Sequence, residues 1–393
     1  MKFIFITGCM EKAKDGVGDY TRLLAFELIK LNHACSIIAL TDAYIATEQP
    51  VTEEDSGLTI FRISAQTPWS QKIPQARHFI EAYGPSHISV QMVVYGYNRK
   101  GILFRELTPL VQLTKGFKTQ LMLHELWVST FRNRPLKERI TGYVQRHFLL
   151  KLIRKMKPCV IHTNTQLFRF LLKKSDLNAS LLPVFSNIPV SSNPVCPGFF
   201  DELFQFKDGF DRSQWIVCVI FGSIHQNCSP AAFFKYISSQ MVAGKKFLLV
   251  SAGKNDQGFE NWQEQIKAYQ SQIHHCQLGE LDTDTLSCLF RESDMGLSTY
   301  PLIFIEKSGA IAAMVEHGLP VVVIGPRDLI QGFEFRIDQI SPLISEFAQV
   351  EQTRTNLTEI LRKKTKIQAG HTLLGETARG LATDLLACGH KSY

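Results

Sequence analysis

The 393-residue chain lacks any run of about 18 apolar residues, so it offers no candidate spanning helix. Its opening, MKFIFITGCM, has too short an apolar run and no small-residue cleavage site for a secretory leader; it reads as a first β-strand. No C-x-x-C pair occurs among nine scattered cysteines, and an odd number excludes a complete disulfide framework; reduced thiols in the cytosol are the expectation. H-E-x-x-H and clustered Cys/His are missing, so no metal site is expected. The D-x-D of Asp282-Thr283-Asp284 directly precedes a helical pattern and reads as an N-cap pair. The Gly-x-Gly at Gly16–Gly18 is not a dinucleotide fingerprint. Thr21 stands where the third glycine belongs, and the second strand is read as running to Leu40-Thr41 with Asp42 just beyond.

What is present is a repeated α/β pattern. Hydrophobic residues make up 45% and charged residues 20%, enough apolar material for a core in each of two domains. Lys2–Thr7, a Gly-bearing loop over 8–19, a helix over 20–31 and a strand over 34–40 form an opening βαβ unit. Further strands are predicted over 87–94, 118–124, 159–163 and 180–185. Turn residues cluster over 190–212, and the pattern then restarts with strands over 215–221, 246–252, 275–278, 295–298 and 319–324. The fold class is therefore α/β. The predicted organisation is a Rossmann-like domain over 1–190, a second over 191–350, and helices over 351–393, with return to the first domain as one option. Ligands of tandem parallel sheets bind at the carboxyl ends of the strands, so a cleft there is the expected site.

Net charge is +7, but residues 1–190 carry +11 and residues 191–393 carry −4. An anionic partner for the first half follows: membrane lipid, a lipid-phosphate acceptor, nucleic acid, or none if the face is merely solvated. The stretch 132–157 holds nine Lys/Arg and one Glu, with Ile140, Val144, Phe148, Leu152 and Met156 read as one apolar face packed on the sheet. Its outer charges suit anionic headgroups. Stacking aromatics are not interleaved with them, so nucleic acid is not expected.

Within Asp294–Gly325 a strand, a loop, a helix opening at Lys307-Ser308-Gly309, a turn at His317-Gly318 and a buried strand follow in order. A helix N-terminus beside a strand end favours a phosphate. Lys307 would pair with a diphosphate, and the Ser308 and Gly309 amides would bind its oxygens. Ser308 or Glu306 would cap the helix. Glu316, at its end, could accept two ribose hydroxyls.

Several segments, in order over about residues 3–325, resemble glycosyltransferase family 4 and its GT-B relatives: DGVGDYTRLLAFELIKLNHACSIIAL, MLHELW, FGSIH, SAGKN, QLGELDTDTLSCLFRESDMGLSTYP and KSGAIAAMVEHGLPVVV. The resemblance implies a GT-B fold and a metal-independent, retaining glycosyl transfer from a nucleotide-diphosphate-sugar to a hydroxyl. The acceptor would be a saccharide, a lipid-linked saccharide or a small molecule; the basic first half adds the expectation of polysaccharide biosynthesis or a lipopolysaccharide pathway. The resemblance implies no cofactor; the cytoplasmic expectation rests on the thiols, and peripheral contact with the inner membrane face is one option that the basic stretch offers. The resemblance places Gly16, Val17 and Gly18 beside the donor diphosphate or acceptor, His124 toward the donor sugar, and Gly279 and Leu281 in the base-binding loop.

The chain departs from the family where its acidic pair should stand: those positions hold Ile305 and Ala313, with Glu306 and Glu316 displaced. The Arg and Lys expected after Gly222 are also missing, Ser223 and Asn227 standing nearby. Positive charge would then come from Lys254, Lys307 or a protonated His225. A sugar-nucleotide-binding protein without transfer, or a nucleotide-sugar epimerase on the same fold, are the alternatives.

Overall fold

The computed structural model describes residues 1–128, 135–191, 198–204, 210–226, 228–240, 245–254, 258–366 and 372–388. Arg132 and Arg134 of the basic stretch, residues 192–197 of the expected linker, and Asn227 lie outside them. In chain order the elements are β1 (Lys2–Thr7), α1 (Gly16–Lys30), β2 (Ala34–Asp42), β3 (Val51–Asp55), β4 (Leu58–Ser64), α2 (Trp69–Tyr83) and β5 (His87–Met92). There follow α3 (Val94–Tyr97), α4 (Leu107–Thr114), β6 (Lys118–Leu123), α5 (Leu136–Met156), β7 (Val160–Thr163), α6 (Gln166–Lys173), β8 (Ser180–Leu181) and α7 (Phe199–Phe204). Then come β9 (Trp215–Phe221), α8 (Ala231–Gln240), β10 (Lys246–Ala252), α9 (Gly258–Lys267), β11 (Ile273–Gly279), α10 (Thr283–Glu292), β12 (Met295–Ser298) and α11 (Gly309–Glu316). β13 (Val321–Val323), β14 (Ile344–Glu346), α12 (Phe347–Thr353), α13 (Leu357–Arg362) and α14 (Leu373–Cys388) complete the chain.

The chain divides into two compact units: residues 1–185 with 330–333 and 372–393, and residues 186–329 with 334–371. The first holds a sheet of order β3-β4-β2-β1-β5-β6-β7-β8 and the second a sheet of order β11-β10-β9-β12-β13-β14. Every pairing is parallel except that of β3 with β4.

Strands buried on both faces read as continuous apolar runs, and β9, WIVCVIF, is such a run. Ile216, Cys218 and Ile220 enter one core with Phe233, Phe234 and Trp262. Trp215, Val217 and Val219 enter the other with Leu286, Leu289 and Ile311. Each such side chain contributes about 1.5–3 kcal/mol by leaving water. In the first unit Phe3, Phe5, Cys35, Ile37 and Ala39 pack with Tyr20, Leu24 and Leu28 of α1 and with Ala378, Leu381 and Leu385 of α14.

Several expectations are corrected. The Gly16–Gly18 segment is not loop but the first turn of α1, because Asp15 caps it. β2 runs on to Asp42, so an acidic residue does close the second strand. Its carboxylate is engaged by Arg62 Nε at 2.8 Å and by the Met10 and Tyr44 amides, each at 3.0 Å. β8 stops after two residues rather than reaching Phe185: Leu182 still donates to Thr163 O, but Pro183 has no N–H to continue the ladder.

The buried face of α5 is Gly142, Gln145, Leu149, Leu152, Ile153 and Met156. Ile140, expected inside, is 57% exposed. The rotation is anchored by Gln145, whose amide donates to Tyr95 Oη and Lys100 O and accepts from Val128 N.

Candidate functional site

In the second unit three adjacent strands end on glycines with positive φ: Gly222 after β9 (+86°), Gly253 after β10 (+97°) and Gly279 closing β11 (+68°). That conformation suits glycine alone at low cost. Gly222 N–H donates to Ala252 O at 3.0 Å, and Gly253 N–H to Gly279 O at 2.6 Å, stitching the strand ends together. A Cβ on Gly253 would lie 3.1 Å from Gly222 N, and one on Gly222 would sit 3.7 Å from Ala310 Cβ. The end of β9 therefore reaches the first turn of α11.

That turn follows a 3-10 segment, Leu302–Lys307, and is capped by Ser308, whose hydroxyl accepts from Ile311 N at 3.2 Å. Ser308 N–H donates to Ile305 O at 3.0 Å, so of the two amides expected to meet a phosphate, this one is already used. A Cβ at Gly309 would meet nothing within 4 Å. Lys307 is half-buried and its ammonium lies 5.9 Å from the Phe304 ring centroid. Glu306 is half-buried in the 3-10 turn.

Glu316 ends α11, and its carboxylate accepts from Ser186 N at 3.3 Å. Ile305 and Ala313, where the resemblance puts acidic residues, are 2% and 0% exposed. Lys254 pairs with Glu280 at 3.3 Å, both mostly exposed, an arrangement of small energetic weight. Ser223 is exposed. His225 N–H donates to Thr299 Oγ1 at 2.9 Å, while its Nδ1 is buried without a partner. Leu281 packs half-buried against the core beneath Gly279. Asp282 caps α10 through Thr285 N at 2.9 Å, as its sequence context predicts.

His317 and Gly318 form the turn after α11. His317 Nδ1 donates to Ala313 O at 2.7 Å, so Nε2 accepts from Ser287 Oγ at 2.9 Å. Ser287 in turn accepts from Ser191 N. Burial holds the His317 imidazole below its ordinary pKa.

In the first unit Val17 and Gly18 N–H donate to Asp15 Oδ1 at 2.8 and 3.1 Å. An anion would reach those amides only in place of Asp15. Gly18 is required by packing, since a Cβ there would lie 2.7 Å from Cys9 O; Gly16 faces open space. His124 directly follows β6, is 5% exposed, and meets Tyr20 edge-on with centroids 4.8 Å apart. Tyr20 stacks on Phe185 at 4.5 Å. The Tyr20 hydroxyl and Asn164 Oδ1, the latter just beyond β7, are buried without partners. His124 Nε2 bonds Gln91 Oε1 at 2.8 Å.

Gln91 is one of several polar residues the sequence reading passed over, with Ser89, Gln120 and His162. For Ser89 and Gln91 the signal was alternation in HISVQM, a strand that a parallel sheet must bury on both faces. Among the described residues, no group of three or more His, Cys, Asp or Glu could hold a metal ion.

No protein-family model matches the sequence, and no curated protein matches it. Solved structures do resemble it. The catalytic domain of starch synthase IV from Arabidopsis thaliana, bound to ADP and acarbose, aligns over 100% of both chains with a TM-score of 0.58 and 12% identity. An α,α-trehalose-phosphate synthase (UDP-forming) from Burkholderia xenovorans, in complex with glucose-6-phosphate, covers 98% of this chain and 99% of its own, with a TM-score of 0.56 and 10% identity. A putative UDP-N-acetylglucosamine 2-epimerase from Listeria monocytogenes covers 100% and 97%, with a TM-score of 0.53 and 11% identity. With two Rossmann-like sheets and full-length likeness to such enzymes, the chain has the GT-B fold.

Proposed function

We propose that the chain is a glycosyltransferase, similar to family 4, that moves a sugar from a nucleotide-diphosphate-sugar to a hydroxyl acceptor. The observation carrying this reading is the approach of Gly222, at a strand end stitched to those of Gly253 and Gly279, to the first turn of α11. Backbone approaches closely there, the helix end attracts negative charge, and Lys307 stands next to it. The leaving diphosphate would be stabilised by the Gly309 amide, the α11 dipole and Lys307, the need that preorganised positive groups meet in such reactions. His124 would hydrogen-bond the sugar, and Gly279 and Leu281 would border the base. Transfer would retain anomeric configuration without a bound metal. A solved structure of this fold with ADP, and a UDP-forming synthase of the same fold, support a nucleotide as ligand.

A binding protein without turnover is the second reading. It is favoured by Ile305 and Ala313 at the expected acidic positions and by the pairing of Lys254 with Glu280. Incubation with a panel of UDP-, ADP-, GDP- and dTDP-sugars, with and without saccharide acceptors, decides between them. Transfer or donor hydrolysis supports the first, and binding without turnover the second. Conversion of a donor to its epimer supports the epimerase reading, and failure of every nucleotide to bind refutes all three.

The phosphate role has its own test. Gly309→Ala places a methyl in open space within a helix, so the melting temperature should hold or rise, by about 0.5–1 kcal/mol of stability. Nucleoside-diphosphate affinity should nonetheless fall about tenfold, or 1.4 kcal/mol. Lys307→Ala should weaken it at least as much. Unchanged dissociation constants in both variants count against the assignment.

We also propose that α5 rests on an anionic membrane surface. Leu136, Ile140 and Tyr143 are 69%, 57% and 73% exposed, and Phe104 is 68% exposed. Lys137, Arg139, Arg146, Lys151, Arg154 and Lys155 are exposed on the same helix. Apolar tips among cations suit the headgroup boundary. Among the described residues, no helix is long and apolar enough to cross a membrane. Flotation with phosphatidylserine-containing vesicles should capture the protein, and Leu136→Ser with Ile140→Ser should release it; equal capture of both forms argues against the contact.

A further inference from the structure

A continuous file of buried polar side chains crosses the first unit on the sheet face covered by α1 and α14. Ser89 and Gln91 on β5, Gln120 on β6 and His162 on β7 are 0%, 1%, 1% and 0% exposed. Register puts Ser89 beside Gln120, and His162 beside Met122, two residues further along β6. The bonds run without a gap. His124 Nε2 meets Gln91 Oε1 at 2.8 Å, Gln91 Nε2 meets Ser89 Oγ at 2.7 Å, and Ser89 Oγ meets Gln120 Oε1 at 2.5 Å. Gln120 Nε2 meets His162 Nδ1 at 3.1 Å, and His162 Nε2 meets Asp384 Oδ2 of α14 at 2.8 Å.

Every member but one can serve as donor or acceptor. Imidazoles change tautomer, carboxamides offer an oxygen or an NH2, and a hydroxyl rotates. Asp384 is the exception: at neutral pH its carboxylate only accepts. It therefore requires the proton on His162 Nε2. Burial lowers the His162 pKa against the pull of Asp384, so the ring is neutral and Nδ1 accepts from Gln120. The Gln120 oxygen then accepts from Ser89, the Ser89 oxygen from Gln91, and the Gln91 oxygen from His124 Nε2–H. All five bonds point the same way, toward α14, and neighbouring bonds in such a chain polarise one another.

We propose that Asp384 is a positioning residue that fixes the tautomer of His124 through this file. With the proton held on Nε2, the lone pair of His124 lies on Nδ1, the tautomer that a donating sugar hydroxyl would require. That last use rests on the proposed function; the tautomer does not. Asp384 touches none of the reacting atoms and acts through Gln120, Ser89 and Gln91. Without it, none of His162, Gln120, Ser89 and Gln91 has fixed polarity, and that part of the file can run in either direction.

The test is a long-range proton–nitrogen correlation spectrum of the full chain labelled with 15N-histidine, the His124 ring assigned by its loss in His124→Gln. Wild type should show His124 wholly as the Nε2–H form. Asp384→Ala should give a mixture of tautomers at both His162 and His124. The Asp384 side chain is 41% exposed on a helix, so the fold should tolerate alanine. Asp384→Asn offers an NH2 as well as an oxygen in the same shape; it should also give a mixture, with the melting temperature unchanged. Ser89→Ala should mix His124 while leaving His162 locked, and adding Asp384→Ala to it should change His124 no further. A His124 pattern unmoved by Asp384→Ala and Asp384→Asn overturns the proposal. So does a further shift of His124 in the double variant, which would show a route other than the file. No donor or turnover is needed, so this result is separate from the glycosyl-transfer assay.

Discussion

Replacing Asp42 by alanine should lower the stability of the first unit by about 3 kcal/mol, the order expected when one partner of a buried ion pair is removed. Asp42 is 0% exposed at the end of β2. Arg62, its partner at 2.8 Å, also reaches Glu53 at 2.7 Å and Glu11 at 2.6 Å, but those carboxylates are about a third exposed and contribute less. The deletion also strands the Met10 and Tyr44 amides. Burial alone would raise the Asp42 carboxyl; Arg62 and the two amides outweigh it and hold the carboxyl below its ordinary range. A folded-state pKa below the unfolded one gives stabilisation that is complete above about pH 4 and is lost as pH falls through the folded value. Urea midpoints measured from pH 7 down to 3 should fall in wild type below pH 4 and fall less in Asp42→Ala. Parallel declines would show that Asp42 is not responsible.

Gly325→Ala should be comparably damaging to the second unit. A Cβ there would lie 1.9 Å from Tyr300 O and 2.6 Å from Thr299 O, both backbone atoms that cannot rotate away. Overpacking of this kind costs up to about 3 kcal/mol, and a melting temperature lowered by roughly 6–10 °C is expected for a unit of this size. Thr299 Oγ1 holds the His225 amide, and the chain runs from Tyr300 into the 3-10 turn before α11. Nucleotide affinity should therefore fall together with stability. Gly309→Ala is the contrast, losing affinity while keeping its melting temperature. Calorimetry of both variants beside wild type checks the pair, and a Gly325→Ala protein as stable as wild type would contradict the close approach.

The elements legible in the sequence are those whose burial leaves a simple pattern. β9, β10, α10 and β12 have the bounds their residues predict, because unbroken apolar runs and the Asp282 cap mark them. α5 is harder to orient. It exposes Leu136, Ile140 and Tyr143 and buries Gly142 and Gln145, so apolar periodicity orients its C-terminal half, where Leu152 and Met156 are buried, but not its first two turns. The antiparallel pairing of β3 with β4 and the edge strand β14 have short or mixed patterns and escape notice. At the site, glycines after strands are legible. The partners that use up amides are not, since Asp15 and Ile305 act through local geometry and Ser186 meets Glu316 across 130 residues of sequence. The polar file is least legible of all. Ser89, Gln91 and Gln120 look like the wet side of a strand until α14 covers them, and their terminal partner stands 222 residues beyond His162.

The contribution of α14 to the first core has a consequence for synthesis on the ribosome. Domains often fold as they emerge, N-terminal first. Here Leu381, Ala382 and Leu385, which pack with Phe3, Phe5 and Leu24, are translated 196 to 200 residues after Phe185. Through that interval the nascent first unit carries an uncovered apolar face and a His162 without its Asp384 partner. Completion of the first core therefore waits for α14, by the order of the chain.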